Sequence, residues 1–254
     1  MAREGVQAAA AGGVTTVLDM PTDVPWTETP GQLAEKIERS RGRIHVDMGL
    51  QVVVGRAECD LAQLRSMGAV SFEVFTADVP EYYRHDGIAA LAAVLGRLRG
   101  HGILIGVSPG EQSFVDCAVD GGSIADFAAS RPPLGEASGI ARAILAAHEA
   151  KAAIHIRQIN SSLGIETLRR LKQLADVSAE TTPQNLIFME ADYARLGNAI
   201  KASPPFRSHV DITALAAALR DGTVDIVATD HAPHAVEEKA ASCVRFSDVP
   251  GGMA

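Results

Sequence analysis

The chain alternates short, nearly continuous runs of β-branched and other apolar residues with longer stretches rich in Ala and Leu. Strand-like runs fall at 14–18, 44–54, 70–75, 103–107, 152–156, 177–180 and 224–229. They lack the clean alternation of a half-exposed sheet, which is the pattern of strands buried on both faces. Helix-like stretches lie between them, at 31–41, 87–99, 134–150, 163–175, 191–201 and 211–221. Thr29-Pro30-Gly31-Gln32 reads as a capping box, with Thr as N-cap, Pro at the first helical position and Gln three residues after the cap. Leu168, Leu171 and Leu174 recur at helical spacing and are expected to face the core.

Strand–helix alternation this regular implies a parallel sheet, either closed as a barrel or open and doubly wound. Ala11-Gly12-Gly13 precedes the first strand-like run and no G-x-G-x-x-G follows it. That favours a barrel over a dinucleotide-binding fold. The expected fold class is therefore α/β, a TIM-like (β/α) barrel occupying residues 1–254 as a single domain. A closed barrel of this type has eight strands. Seven strand-like runs are counted here, so the barrel is expected to be one strand short and to lack its closing helix.

Composition narrows the class without naming a chemistry. With 47% hydrophobic, 21% charged and 4% aromatic residues, the chain is globular rather than disordered, fibrous or disulfide-stapled. The net charge of −8 is spread without acidic or basic runs, so neither a nucleic acid nor an anionic membrane is an expected partner. Cys59, Cys117 and Cys243 are too few and too scattered for a disulfide framework or a zinc knuckle. They suit a reducing compartment, and a cytoplasmic location is expected. No apolar run approaches the about 18 residues of a membrane span, and Met1-Ala2-Arg3-Glu4-Gly5 lacks the apolar stretch of a signal peptide.

The strongest local signal for chemistry is Asp230-His231-Ala232-Pro233-His234, directly after the last strand-like run. At the C-terminal end of a barrel strand, a carboxylate can hold a cation or accept a proton from metal-bound water. The plain alternative is a capping Asp followed by two solvated loop histidines.

Several segments, in order, carry a family resemblance. They are Ala8-Ala9-Ala10-Ala11-Gly12-Gly13-Val14-Thr15-Thr16-Val17-Leu18-Asp19-Met20-Pro21, Ser130-Arg131-Pro132-Pro133, Ala179-Glu180-Thr181-Thr182-Pro183, Pro204-Pro205-Phe206-Arg207 and the motif at Asp230 and His234. Together they resemble the cyclic amidohydrolases: dihydroorotases, allantoinases and hydantoinases. Met20-Pro21-Thr22, followed by Arg41-Gly42-Arg43-Ile44-His45-Val46-Asp47, is more similar to allantoinases than to dihydroorotases.

The resemblance implies a small cyclic amide as substrate and two metal ions, zinc or another divalent cation, at the barrel mouth. A bridging hydroxide would attack the ring amide, and an aspartate would carry the proton to the leaving nitrogen. The implied ligands are a His-x-His pair on the first strand, a carbamylated lysine on the fourth, histidines on the fifth and sixth, and an aspartate on the eighth. On this sequence the His-x-His pair has no counterpart, so the resemblance implies a barrel that lacks its first strand. Glu73 stands at the lysine position, Ser108 and Gln158 stand at the two histidine positions, and Gln184 replaces a further histidine behind them. Ser203 stands where the family has Asn. Asp230 alone matches its ligand, as metal-binding and catalytic residue; His234 and Pro204 match substrate-binding positions. Glu73 is a possible second metal ligand, because a carbamylated lysine is itself a carboxylate on a longer stem. His155 matches a family histidine that is not a ligand, and strand alternation turns it from the face of Gln158 toward a packed or hydrogen-bonded role.

Ser and neutral Gln are poor ligands for zinc beside imidazole. Activity is therefore expected to be reduced or lost, with the barrel acting as a scaffold or partner protein. Three alternatives stand beside this reading. One is a working hydrolase with a single ion held among Glu73, Glu111, Glu180, Asp230 and His234. Another is an incomplete piece of a longer hydrolase. The last is an unrelated binding module built on an open doubly wound sheet. Truncation alone would not change interior ligands, which favours the first reading. An open barrel exposes strand edges, so a homo-oligomer or a partner protein is expected to cover them.

Overall fold

Each apolar run pairs with the next as a parallel strand, and the Ala/Leu-rich stretch between them returns the chain to begin again. A computed structural model describes residues 2–117, 123–240 and 249–252. Its strands are β1 (Thr16–Asp19), β2 (Asp47–Val53), β3 (Ala69–Phe75), β4 (Leu104–Ser108), β5 (Ile154–Ile156), β6 (Val177–Thr181) and β7 (Ile226–Val227). They pair in sequence order and all in parallel. Among the described residues, no pairing joins β7 back to β1.

The helices are α1 (Ala2–Ala11), α2 (Pro30–Ser40), α3 (Leu61–Ser66), α4 (Ile88–Leu98), α5 (Gln112–Asp116) and α6 (Ile124–Ala129). They continue with α7 (Pro133–Ala150), α8 (Ser162–Leu171), α9 (Tyr193–Leu196), α10 (His209–Asp221) and α11 (Val236–Lys239). No helix among the described residues is long and apolar enough to cross a membrane.

One core lies between the outer face of the sheet and the helices. Val52, Phe72, Val74, Val107 and Ile156 of the strands meet Leu33, Leu95, Ile140, Ile144, Leu168 and Leu215 of the helices. Each such side chain contributes about 1.5–3 kcal/mol on burial. The capping box at α2 is formed: Gln32 N–H donates to Thr29 Oγ1 at 3.3 Å and Thr29 N–H donates to Gln32 Oε1 at 2.9 Å. Asp211 caps α10 through Ser208 and also accepts from Ser162 N–H and Oγ–H, each at 2.8 Å, which pins the start of α8 to the start of α10.

Four expectations need correction. Burial on both faces holds for the middle strands but not for the outermost. Leu18 of β1 is 51% exposed, and Ile226 and Val227 of β7 are 46% and 49% exposed, since each of these strands has one neighbour only. The helix expected at 191–201 is broken into short turns, because Gly197 takes φ +52° and ψ −137°, which no helix accommodates. Leu174 does not join Leu168 in the core: α8 ends at Leu171 and a 3₁₀ turn leaves Leu174 37% exposed. The last strand-like run contributes only Ile226 and Val227 to the sheet. Of the cysteines, Cys59 and Cys117 are free thiols, while Cys243 lies outside the described residues.

Candidate functional site

Alternation along β3 sends Phe72 and Val74 to the helices and Ser71 and Glu73 to the barrel interior. The same rule turns inward Gln51 from β2, His155 and the following Arg157 from β5, and Ser178 and Glu180 from β6. Gly106 of β4 lies opposite Glu73 in register. A Cβ there would collide with the Glu73 carboxylate, so glycine is what lets an acid fit inside the wall.

These inward groups form one network. Glu73 Oε1 accepts from Ser71 Oγ–H at 2.6 Å, Gln51 Nε2–H at 2.8 Å and Arg157 Nη2–H at 2.5 Å. Its Oε2 accepts from Arg157 Nε–H at 3.1 Å. The third guanidinium nitrogen, Nη1, donates to Glu180 Oε2 at 3.2 Å. His155 Nε2 lies 3.0 Å from that same oxygen and, facing a carboxylate, donates to it; its Nδ1 pairs with Ser178 Oγ at 2.8 Å. Burial works against the Arg157 charge, but Glu73 and then Glu180 outweigh it and hold the guanidinium protonated. Burial likewise pushes the Glu180 carboxyl up, and the His155 hydrogen bond and the Arg157 charge more than reverse this, leaving it below the usual carboxylate range.

Above this layer, at the strand ends, Gln158 and Asp230 take φ of +51° and +45°. Non-glycine residues held there are strained, and such residues cluster at functional sites. The two side chains meet, with Gln158 Nε2–H donating to Asp230 Oδ2 at 2.6 Å. The Asp230 pKa is pushed up to about 6, first by desolvation and then by the Glu180 charge, against the Gln158 hydrogen bond and Arg157. Asp230 is open to solvent on one side and surrounded by protein on the others. The open side admits water that moderates the shift in size, while Glu180 behind it keeps the direction upward. Gln184 Nε2–H donates to Thr229 O at 3.0 Å, tying the end of β6 to the residue before Asp230.

The remaining predicted residues lie apart from this pair. His234 turns to Glu238, with Nδ1 at 3.3 Å from Oε2. Pro204 follows a cis peptide bond, and the preceding Ser203 Oγ–H donates to Asp78 Oδ2 at 3.2 Å. Asp78 is itself gripped by the fork of Arg131 at 2.6 and 2.5 Å. Glu111 pairs with Arg142 at 3.2 Å. Among the described residues, no three His, Cys, Asp or Glu side chains converge as a metal site. The five groups of the expected single-ion cluster, Glu73, Glu111, Glu180, Asp230 and His234, do not come together as one among the described residues. Glu73, expected as a possible metal ligand, has both oxygens accepting from donors of this chain. A divalent metal centre does not fit the donors present: a guanidinium stands between the two interior carboxylates, and Gln158 and Ser108 offer neutral oxygen where a borderline cation prefers imidazole.

His155 is buried and hydrogen-bonded as expected, but it faces the barrel interior beside Arg157 and is not turned away from the site. Arg157 is the residue that sequence reasoning passed over. Its signal was available: Glu73 and Glu180 are acids inside apolar runs, and such acids are buried only when paired. The one cation of matching parity is Arg157, two residues after His155. The Asp78–Arg131 pair joins loops 53 residues apart, and no local pattern announces it.

No family model matches the sequence. A dihydroorotase from Halobacterium salinarum is 35% identical over 252 residues, covering 98% of this chain and 57% of that protein. An allantoinase from Rubrobacter xylanophilus is 29% identical, covering 93% of this chain and 54% of that protein. Among solved structures, an L-hydantoinase (dihydropyrimidinase) from Arthrobacter aurescens superimposes with a TM-score of 0.89 at 27% identity, over 99% of this chain and 58% of that one. The fold is thus that of the hydantoinase (β/α) barrel, and the chain is similar along nearly its whole length to the cyclic amidohydrolases. It spans little more than half the length of the curated relatives it matches. The leaning toward allantoinase is not upheld, since the dihydroorotase is the more similar of the two relatives at 35% against 29% identity.

Proposed function

We propose that this barrel is a relative of the cyclic amide hydrolases in which hydrolysis is reduced or lost, and that it serves as a scaffold or partner protein. One observation carries the reading. The carboxylate at the position of the family's lysine, Glu73, spends both oxygens on Arg157, Ser71 and Gln51. With Gln158 and Ser108 at the histidine positions, the described residues offer no set of donors with which to lower the pKa of a bound water. Purified protein is expected to hold well below stoichiometric zinc by elemental analysis and to hydrolyse neither dihydroorotate nor allantoin. Stoichiometric metal together with turnover that Asp230→Asn abolishes would overturn the proposal.

Asp230 supports a second reading, an active hydrolase of a small cyclic amide. A carboxyl titrating near neutrality is poised to accept or donate a proton, and the same assay with Asp230→Asn separates the two. The exposed edges of β1 and β7 support a protein partner or a second copy of the chain, because unpaired strand edges recruit pairing. Light scattering is expected to give a mass above that of one 26.6 kDa chain, alone or with the partner; a monodisperse monomer at high concentration, with no co-purifying protein, counts against it.

A further inference from the structure

We propose that Arg157 is a built-in cation: its guanidinium holds the interior carboxylates of Glu73 and Glu180 together, so that the barrel interior is a cation site filled by the chain itself. The fork is used fully. Nε and Nη2 address both oxygens of Glu73, and Nη1 turns to Glu180. Side-on bidentate pairing of this kind fixes both geometry and charge, which a lysine ammonium in the same place cannot reproduce. Every other donor around the acids completes the arrangement: Gln51 and Ser71 fill Glu73 Oε1, and His155 fills Glu180 Oε2. Gly106 supplies the space.

Two buried carboxylates that meet one guanidinium can both stay ionised only with a positive charge between them. A divalent ion entering the same space would face the guanidinium charge at short range and would have to displace it. The guanidinium is therefore both the support of the inner face and the reason it takes no ion from solution. This inference draws on the same Glu73–Arg157 contact as the proposed function, but its test reads stability and not activity. Turnover of a cyclic amide by the wild-type chain would overturn that reading and leave this one untouched.

Thermal unfolding of the full chain tests it. Arg157→Ala is expected to lower the unfolding midpoint by about 10 °C. Millimolar methylguanidinium or manganese is expected to recover part of that loss, and potassium chloride at equal ionic strength to recover none. Glu73→Gln, harmful alone, is expected to cost little in the Arg157→Ala background, because the charge it removes is then unpaired. Should Arg157→Ala fail to fold, the double variant Glu73→Gln/Arg157→Met is expected to fold where the single variant does not. Three results would overturn the inference: an Arg157→Ala protein melting with the parent, losses for the two sites that simply add, or manganese retained stoichiometrically by wild type and released by Glu73→Gln.

Discussion

Phe72 and Glu73 are neighbours in β3, and both are 0% exposed, yet they are buried by opposite physics. Phe72 faces the helices, in a core where any well-shaped apolar neighbour will serve. Glu73 faces the barrel interior, where four named donors and one glycine decide whether an acid can be there at all. Depth of burial is therefore a poor guide to what a position needs. On the outer face the energy is spread over many weak contacts. On the inner face it is concentrated in charges that are favourable only together.

The largest effect comes from the outer face and should be indifferent to pH. Phe72→Ala removes a wholly buried ring and is expected to cost about 3–5 kcal/mol in urea unfolding. Measured in a His101→Gln background, because that imidazole meets the Phe72 ring edge-on at a centroid distance of 5.9 Å, the loss should be the same at neutral pH as in mild acid. A loss that changes with pH would show the two faces to be coupled and would break the distinction.

Glu180→Gln, on the inner face, is expected to cost less, about 1–3 kcal/mol, and its cost should depend on pH. The Glu180 carboxyl is held below its ordinary value of 4.5 in the folded chain. In the unfolded chain it takes up protons first as the pH falls, so its contribution is complete above the unfolded value and disappears as pH drops through the folded one. The stability gap between wild type and Glu180→Gln should be widest at neutral pH and should close in acid. A gap that is flat with pH would mean that the His155 and Arg157 contacts hold Glu180 by shape and not by charge.

The same contrast explains what could be read in the sequence. The outer face is a pattern, and patterns are legible: the parallel strands, the helices between them and the cap at Thr29 follow from apolar runs and a four-residue motif. The two edge strands were misjudged because their residues are as apolar as those of the middle. Exposure of Leu18 and Ile226 comes from the missing neighbour and not from their own chemistry. The inner face is a set of meetings between residues far apart in sequence. Arg157 reaches Glu73 across 84 positions, so the family comparison found the changed positions without finding what had replaced their function. Asp230 was legible as a strand-end carboxylate. Its partner Gln158 was legible only as a lost ligand, because its left-handed backbone departs from the alternation that β5 would otherwise impose.

The smallest effect on stability, and the sharpest test of direction, concerns Asp230. Its folded value of about 6 lies above the ordinary 3.8, the reverse of Glu180. The folded chain binds this proton more tightly than the unfolded one, so the contribution is present in acid and is lost as pH rises from about 3.8 to about 6. The side chain is open to water on one side, which screens the effect and makes stability a weak readout. Carboxyl carbon shifts followed by NMR through a pH titration read it directly. Gln158→Leu removes a hydrogen bond that favours the charged form and should move the Asp230 midpoint higher. Glu180→Gln removes a negative neighbour and should move it lower. The opposite signs are what the geometry demands. If both substitutions moved the midpoint the same way, Asp230 would be answering to solvent alone, and the mouth would be electrically separate from the inner face beneath it.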